Sequence, residues 1–189
     1  MHWLDPAYLP ETTGKVIQFT INSHGELDGL VLDGERLIYF PPHMGQRVAK
    51  LVAVGDDVSI RGVKPRDAAM IAAVTIKGRT GTAVDEGPDS HGGRHGKPEK
   101  KGDDPMAAAG EVRLSLFGPR GELRGAVLAD GTILRLGPKE ADHIARLLKP
   151  GVLLDVRGTG IKNAYGRVIE VDEIADKKGL FVAVKKIRM

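Results

Sequence analysis

The chain has 189 residues, 28 Lys+Arg against 25 Asp+Glu, 41% hydrophobic residues and 4% aromatics, which fits a soluble globular class with room for one domain or two small ones. Zero cysteines exclude a disulfide scaffold, thiolate catalysis, Cys-ligated zinc and iron–sulfur clusters together. No apolar run reaches the roughly 18–20 residues that span a bilayer, and Met1–Pro6 has neither a basic nor an apolar leader region, so the expectation is a cytoplasmic protein with no membrane partner.

The net charge of +3 is unevenly spread. Residues 14–77 carry 8 basic and 7 acidic side chains, and residues 110–174 carry 10 and 9, so each segment is nearly neutral. The tail 175–189 sums to +4 through Lys177, Lys178, Lys185, Lys186 and Arg188. Such a tail can meet nucleic acid or an anionic surface, or serve only as a solubilising end.

In chain order the first pattern is a tandem duplication. Gly25-Glu26-Leu27-Asp28-Gly29-Leu30-Val31-Leu32 recurs as Gly121-Glu122-Leu123-Arg124-Gly125-Ala126-Val127-Leu128, 96 positions later. Asp33-Gly34 matches Asp130-Gly131 after one inserted residue, Ala129, and Ile60-Arg61-Gly62 matches Val156-Arg157-Gly158. Each copy reads as strand, strand, strand, helix, strand, strand. In the first copy the strands are Val16–Ile21, Glu26–Leu32, Arg36–Phe40, Val58–Ile60 and Met70–Ile76. Asp33-Gly34 marks a hairpin, and Pro41-Pro42 ends the third strand because two N–H donors are missing. Met44, Val48, Leu51 and Val52 fall on one face of a short helix, as do Ile144, Leu147 and Leu148 in the second copy. The last loop of that copy is expected to be long, Thr159 to Gly166. The first strands disagree in parity, Ile17/Phe19/Ile21 against Val112/Leu114/Leu116, and a β-bulge there would blur which face Phe19 takes.

Five strands with one helix between the third and fourth is the order of an OB-fold barrel. Each copy resembles the small bacterial OB-fold domains grouped with single-stranded nucleic-acid binders. The first copy also resembles uncharacterised bacterial proteins that carry Gly-Glu-x-x-Gly-x-x-Leu-x-Asp-Gly, here Gly25, Glu26, Gly29, Leu32, Asp33 and Gly34, followed by Phe40-Pro41-Pro42-His43. The second copy reads Leu136-Gly137-Pro138-Lys139 at the latter motif. The resemblance covers about two thirds of the chain and implies an all-β fold, two five-stranded OB barrels in tandem with one short helix per repeat.

The expected organisation is an extension over 1–13, a first barrel over 14–77, a flexible linker over 78–109, a second barrel over 110–174 and a basic tail over 175–189. The linker has almost no large apolar residue, and a coil of about 32 residues spans roughly 30 Å, enough for both barrels to engage one ligand. Barrels of about 65 residues have marginal cores, so the terminal residues Trp3, Leu4, Tyr8, Leu9 and Leu180–Val184 are expected to pack on them, the latter as an added strand. A barrel–barrel or dimer interface is the competing use.

Catalytic motifs are missing: there is no phosphate-binding Gly loop, no His-Glu-x-x-His and no serine elbow, so neither enzyme activity nor a cofactor is expected. His91, His95 and Asp89 stand in the linker without fixed geometry, and no metal site is expected. His43 can point to a ligand, cap the helix or meet a carboxylate; a structural role is favoured. For single-stranded DNA or RNA the OB fold directs attention to the second and third strands and their flanking loops, where cations track phosphates and aromatics stack bases. The candidates are Arg36, Tyr39, Phe40, Lys64 and Arg66 in the first copy and Arg120, Arg124, Arg135, Lys162, Asn163, Tyr165 and Arg167 in the second. Near-neutral barrels instead suit a protein partner or self-association, and that reading competes.

Overall fold

The computed structural model describes residues 5–85, 102–176 and 181–184. In the first copy β1 (Glu11–Ile21), β2 (Leu27–Leu32), β3 (Arg36–Tyr39), β4 (Asp57–Val63) and β5 (Met70–Lys77) form a sheet in the order 3-2-1-4-5, and a parallel β3–β5 pairing closes it. The second copy repeats this with β7 (Asp104–Phe117), β8 (Leu123–Leu128), β9 (Ile133–Arg135), β10 (Leu153–Asn163) and β11 (Gly166–Ala175), closed by the parallel pair β9–β11. Both are closed five-stranded OB barrels. The helix between the third and fourth strands is α1 (Gly45–Leu51) in one copy and α2 (Pro138–His143) in the other. The second is shorter than the Ile144–Leu148 pattern implies: at Ile144 the chain turns to φ −111°, ψ 23°, and a single 3₁₀ turn, Ala145–Leu147, follows.

The hydrophobic alternation explains the core. In the second barrel Val112, Leu128, Leu134, Leu136, Leu154, Val156, Ile169, Val171 and Ile174 pack together, each nearly or fully buried. The parity conflict in the first strands has a physical answer: β7 shifts register against β8 between Val112 and Leu114, leaving Arg113 as the extra residue of a bulge. In β1 the buried side chains switch phase after Val16, and Phe19 and Ile21 are inside.

Three expectations are corrected. β1 begins at Glu11, five residues early, because Thr12 and Thr13 pair with Ile60 and Ser59 on β4. The segment read as linker contains β6 (Thr82–Val84) and the first residues of β7; Met106 and Ala107–Ala109 ladder onto the unusually long β10. Within that segment, residues 86–101 lie outside the described residues. Thr159–Gly166 is strand rather than loop: β10 and β11 run in register to Asn163 opposite Gly166, joined by Ala164-Tyr165 alone. Gly160, inside that expected loop, and Gly158 just before it are bare because a Cβ there would run into the Val168 and Glu170 carbonyl oxygens respectively.

Each barrel carries a sixth strand. β6 pairs with β5 (Ile76 opposite Ala83), and β12 (Val182–Ala183) pairs with β11 (Ile174 opposite Val182). Asp85 and Val184 occupy matching places, their N–H groups donating at 2.8 Å to the carbonyls of Val74 and Asp172. The chain forms two compact units: Met1–Thr20, Leu27–Pro98 and Pro119–Gly121 in the first, Ile21–Glu26, Glu99–Gly118 and Glu122–Met189 in the second. Among the described residues no helix is long and apolar enough to cross a membrane.

Candidate nucleic-acid interface

The β10–β11 hairpin presents the best-formed set of candidates. Its two-residue turn is held by the Asn163 side chain, whose Oδ1 accepts from the Tyr165 N–H at 2.9 Å while its Nδ2 donates to the Gly25 carbonyl at 2.9 Å within the second unit. Tyr165 stands at the tip, 41% exposed. Lys162 and Arg167 are directly opposite each other, so both side chains leave the same face. Lys162 is exposed; Arg167 is half-buried and its Nη2 donates to Thr132 Oγ1 at 2.8 Å, with Asp130 Oδ2 at 3.6 Å.

The remaining candidates divide by what holds them. Lys64 and Arg66 are exposed in the loop between β4 and β5, and Arg120 is exposed in the turn between β7 and β8. Arg36 staples its own hairpin: Nη2 meets Asp33 Oδ1 at 2.9 Å and Nε donates to the Asp33 carbonyl at 2.9 Å. In that turn Gly34 (φ 76°) and Glu35 (φ 58°) both take the left-handed conformation. Arg124 is half-buried on β8. Arg135, half-buried on β9, donates through Nε and Nη2 to the Ile21 carbonyl at 3.2 and 3.0 Å, also within the second unit. Tyr39 is half-buried opposite Gly29 and Ala72.

Phe40 is a correction. It is 0% exposed and belongs to the core, so its ring has no face for a base. Its parity with Ile38, also fully buried, is the signal that marks it as core. The sheet face is closed more widely: all six residues of β2 and the last four of β8 are buried. On β3 and β8 Arg36, Tyr39 and Arg124 stay half-buried, and the exposed candidates lie on the hairpin and the loops.

Two carboxylates beside these cations are tuned. The Lys15 N–H and then the Arg36 guanidinium hold the Asp33 carboxyl below its ordinary value. Burial pushes Asp130 up, but the Thr132 N–H and hydroxyl, with Arg167, together draw it below its ordinary value. His43 meets a carboxylate: its Nε2 lies 3.0 Å from Asp85 Oδ1, joining the start of the helical segment to the end of β6. One cation escaped the sequence reading, Arg157, which lies 3.9 Å from the centroid of Phe181 and 3.8 Å from Glu173. No local pattern links residues so far apart in the chain. Among the described residues no three His, Cys, Asp or Glu side chains gather as metal ligands, and Asp89, His91 and His95 lie outside those residues.

No protein-family model and no curated protein matches the chain. Among solved structures, one that matches is a deletion variant of the single-stranded DNA-binding protein from Thermus aquaticus, at 11% identity over 88% of this chain and 92% of that one, with a TM-score of 0.28.

Proposed function

We propose that this chain is a non-catalytic tandem OB-fold module that binds single-stranded nucleic acid with low sequence selectivity. The observation that carries the reading is the β10–β11 hairpin, where Lys162 and Arg167 face the same way and an exposed Tyr165 stands at the tip. The hairpin joins the fourth and fifth strands of an OB barrel, a loop that flanks the binding face in this fold. Cations supply phosphate contacts, and a tyrosine ring stacks on any base, which gives affinity with little sequence preference. Because the faces of β2 and much of β8 are buried, the ligand runs along the hairpin and loops rather than across the sheet. That same burial, with near-neutral barrels, favours a second reading, a protein-interaction module. A titration with fluorescent single-stranded DNA and RNA at two salt concentrations separates them. Binding that weakens steeply with salt supports the first reading; no binding to either polymer at low salt, where the electrostatic contribution is largest, removes it.

A further inference from the structure

Sequence order groups Arg120 with Lys162, Tyr165 and Arg167, since all belong to the second repeat. The compact units group it differently. Pro119–Gly121 belongs to the first unit, which also contains the β4–β5 loop with Lys64 and Arg66. Gly121, at φ +78°, sits so close to that loop that a Cβ on it would stand 3.2 Å from Pro65 Cβ and 3.3 Å from Ala68 Cβ. Pro65 lies between Lys64 and Arg66, and Arg120 immediately precedes Gly121. With consecutive Cα atoms about 3.8 Å apart, the Cα atoms of Lys64, Arg66 and Arg120 gather within about 14 Å of one another. All three residues are exposed, and within Lys64–Ala69 and Pro119–Gly121 the one acidic residue is Asp67.

We propose that Lys64, Arg66 and Arg120 form a second polyanion-binding locus in the first unit, distinct from the hairpin locus of the second, and that it takes the phosphodiester backbone of the same single strand. It contacts phosphates without stacking, because none of the three residues is aromatic and neither segment contains an aromatic residue. Pro65 restricts the backbone between two of the cations, and the contact with Gly121 fixes the third beside them, so less ordering is needed when a strand arrives. The two loci thereby play different parts, the first holding backbone alone and the hairpin holding backbone and a base.

This inference rests on the proposed function, and one experiment keeps their failures apart. Binding of a fluorescent thymidine oligomer of about 16 nucleotides is titrated over a salt series for the full chain and for Arg120→Gln, Lys64→Gln/Arg66→Gln and the triple variant. Each lost phosphate contact should reduce the salt slope by about 0.7, so the triple variant should lose about 2. Arg120→Lys keeps the charge and should restore the slope, and thermal unfolding followed by circular dichroism checks that the fold is intact. A double-mutant cycle tests the grouping: Arg120→Gln should couple with Arg66→Gln by about twofold or more in affinity and act independently of Lys162→Gln. A wild-type chain that binds the oligomer, with a triple variant of unchanged slope, overturns the second locus alone. Coupling of Arg120 to Lys162 and not to Arg66 overturns the grouping. A wild-type chain that binds nothing at low salt overturns the function and the locus with it.

Discussion

Val184 shows how far the second barrel depends on residues beyond its fifth strand. β12 lies beyond Asp176, yet Val184 is 3% exposed and belongs to the same core cluster as Leu154, Val156, Val171 and Ile174. Val184→Ala removes two methyl groups there, about 0.8 kcal/mol each by transfer. The cavity left behind raises the expected loss to about 2 kcal/mol. At a urea dependence of about 2 kcal/mol/M the unfolding midpoint should fall by about 1 M, read by circular dichroism. Phe181 is the contrast: it is 37% exposed and stacks on the Arg157 guanidinium, a contact that by itself contributes about 0.5–1 kcal/mol. Truncation after Asp176 removes Val184 and both β12 residues, and should destabilise at least as much as Val184→Ala. The basic tail therefore cannot be deleted merely to remove charge. If Val184→Ala unfolds within about 0.5 kcal/mol of wild type, the sixth strand is not part of the core.

Three further outcomes are expected. Tyr165→Ala should weaken single-strand binding by roughly 1–3 kcal/mol with little change in salt slope, whereas Lys162→Ala should reduce the slope by about 0.7; identical signatures for the two would contradict the division of labour. Gly125→Ala should destabilise the second barrel strongly, since a Cβ there meets the Leu134 carbonyl and φ is +152°; a melting temperature within a degree or two of wild type would count against the register of β8 and β9. Asp33 and Asp130 have carboxyls held below the ordinary 3.8, so their contribution to stability is present above that value and is lost as pH falls through the lower folded value. NMR titration should find both midpoints below 3.8, and a midpoint at or above it refutes the hydrogen-bond assignment.

The fold was legible because duplication repeats the same signals. Gly25–Leu32 and Gly121–Leu128 give the same turn and strand twice, and the helix pattern falls between the third and fourth strands in both copies. The sixth strand of the first barrel was not legible in the same way: Thr82–Val84 is three residues beside Gly81, too short for any periodicity to register, whereas Val182–Ala183 falls inside the apolar stretch Leu180–Val184 expected as an added strand. The hairpin was hidden by its own glycines: Gly160 and Gly166 suggest a loop by composition, but at Gly160 the missing side chain lets two strands approach closely. At the candidate site, exposure was the missing quantity. Phe40, Arg36 and Arg135 have the residue types a binding face needs, but one is core and the others hold carbonyl or carboxylate groups of the chain itself.

The hairpin also breaks a folding rule, which bears on what it is for. Like charges directly opposite on a β-ladder destabilise it, and Lys162 faces Arg167 across the last pairs before the turn. Arg167 is partly offset by Thr132 and Asp130, which explains how the pair is tolerated but not why Lys162 stands there. Tyr165 adds a second anomaly, a large ring left 41% exposed at the tip. A sequence selected only for stability would place a carboxylate opposite Arg167 and a small polar residue in the turn. Lys162→Glu tests this. It should stabilise the hairpin by roughly 0.2–1 kcal/mol through a cross-strand ion pair, while single-strand binding falls. Stability that rises together with unchanged binding would mean the charge pair has no ligand, and would return the hairpin to the protein-interaction reading.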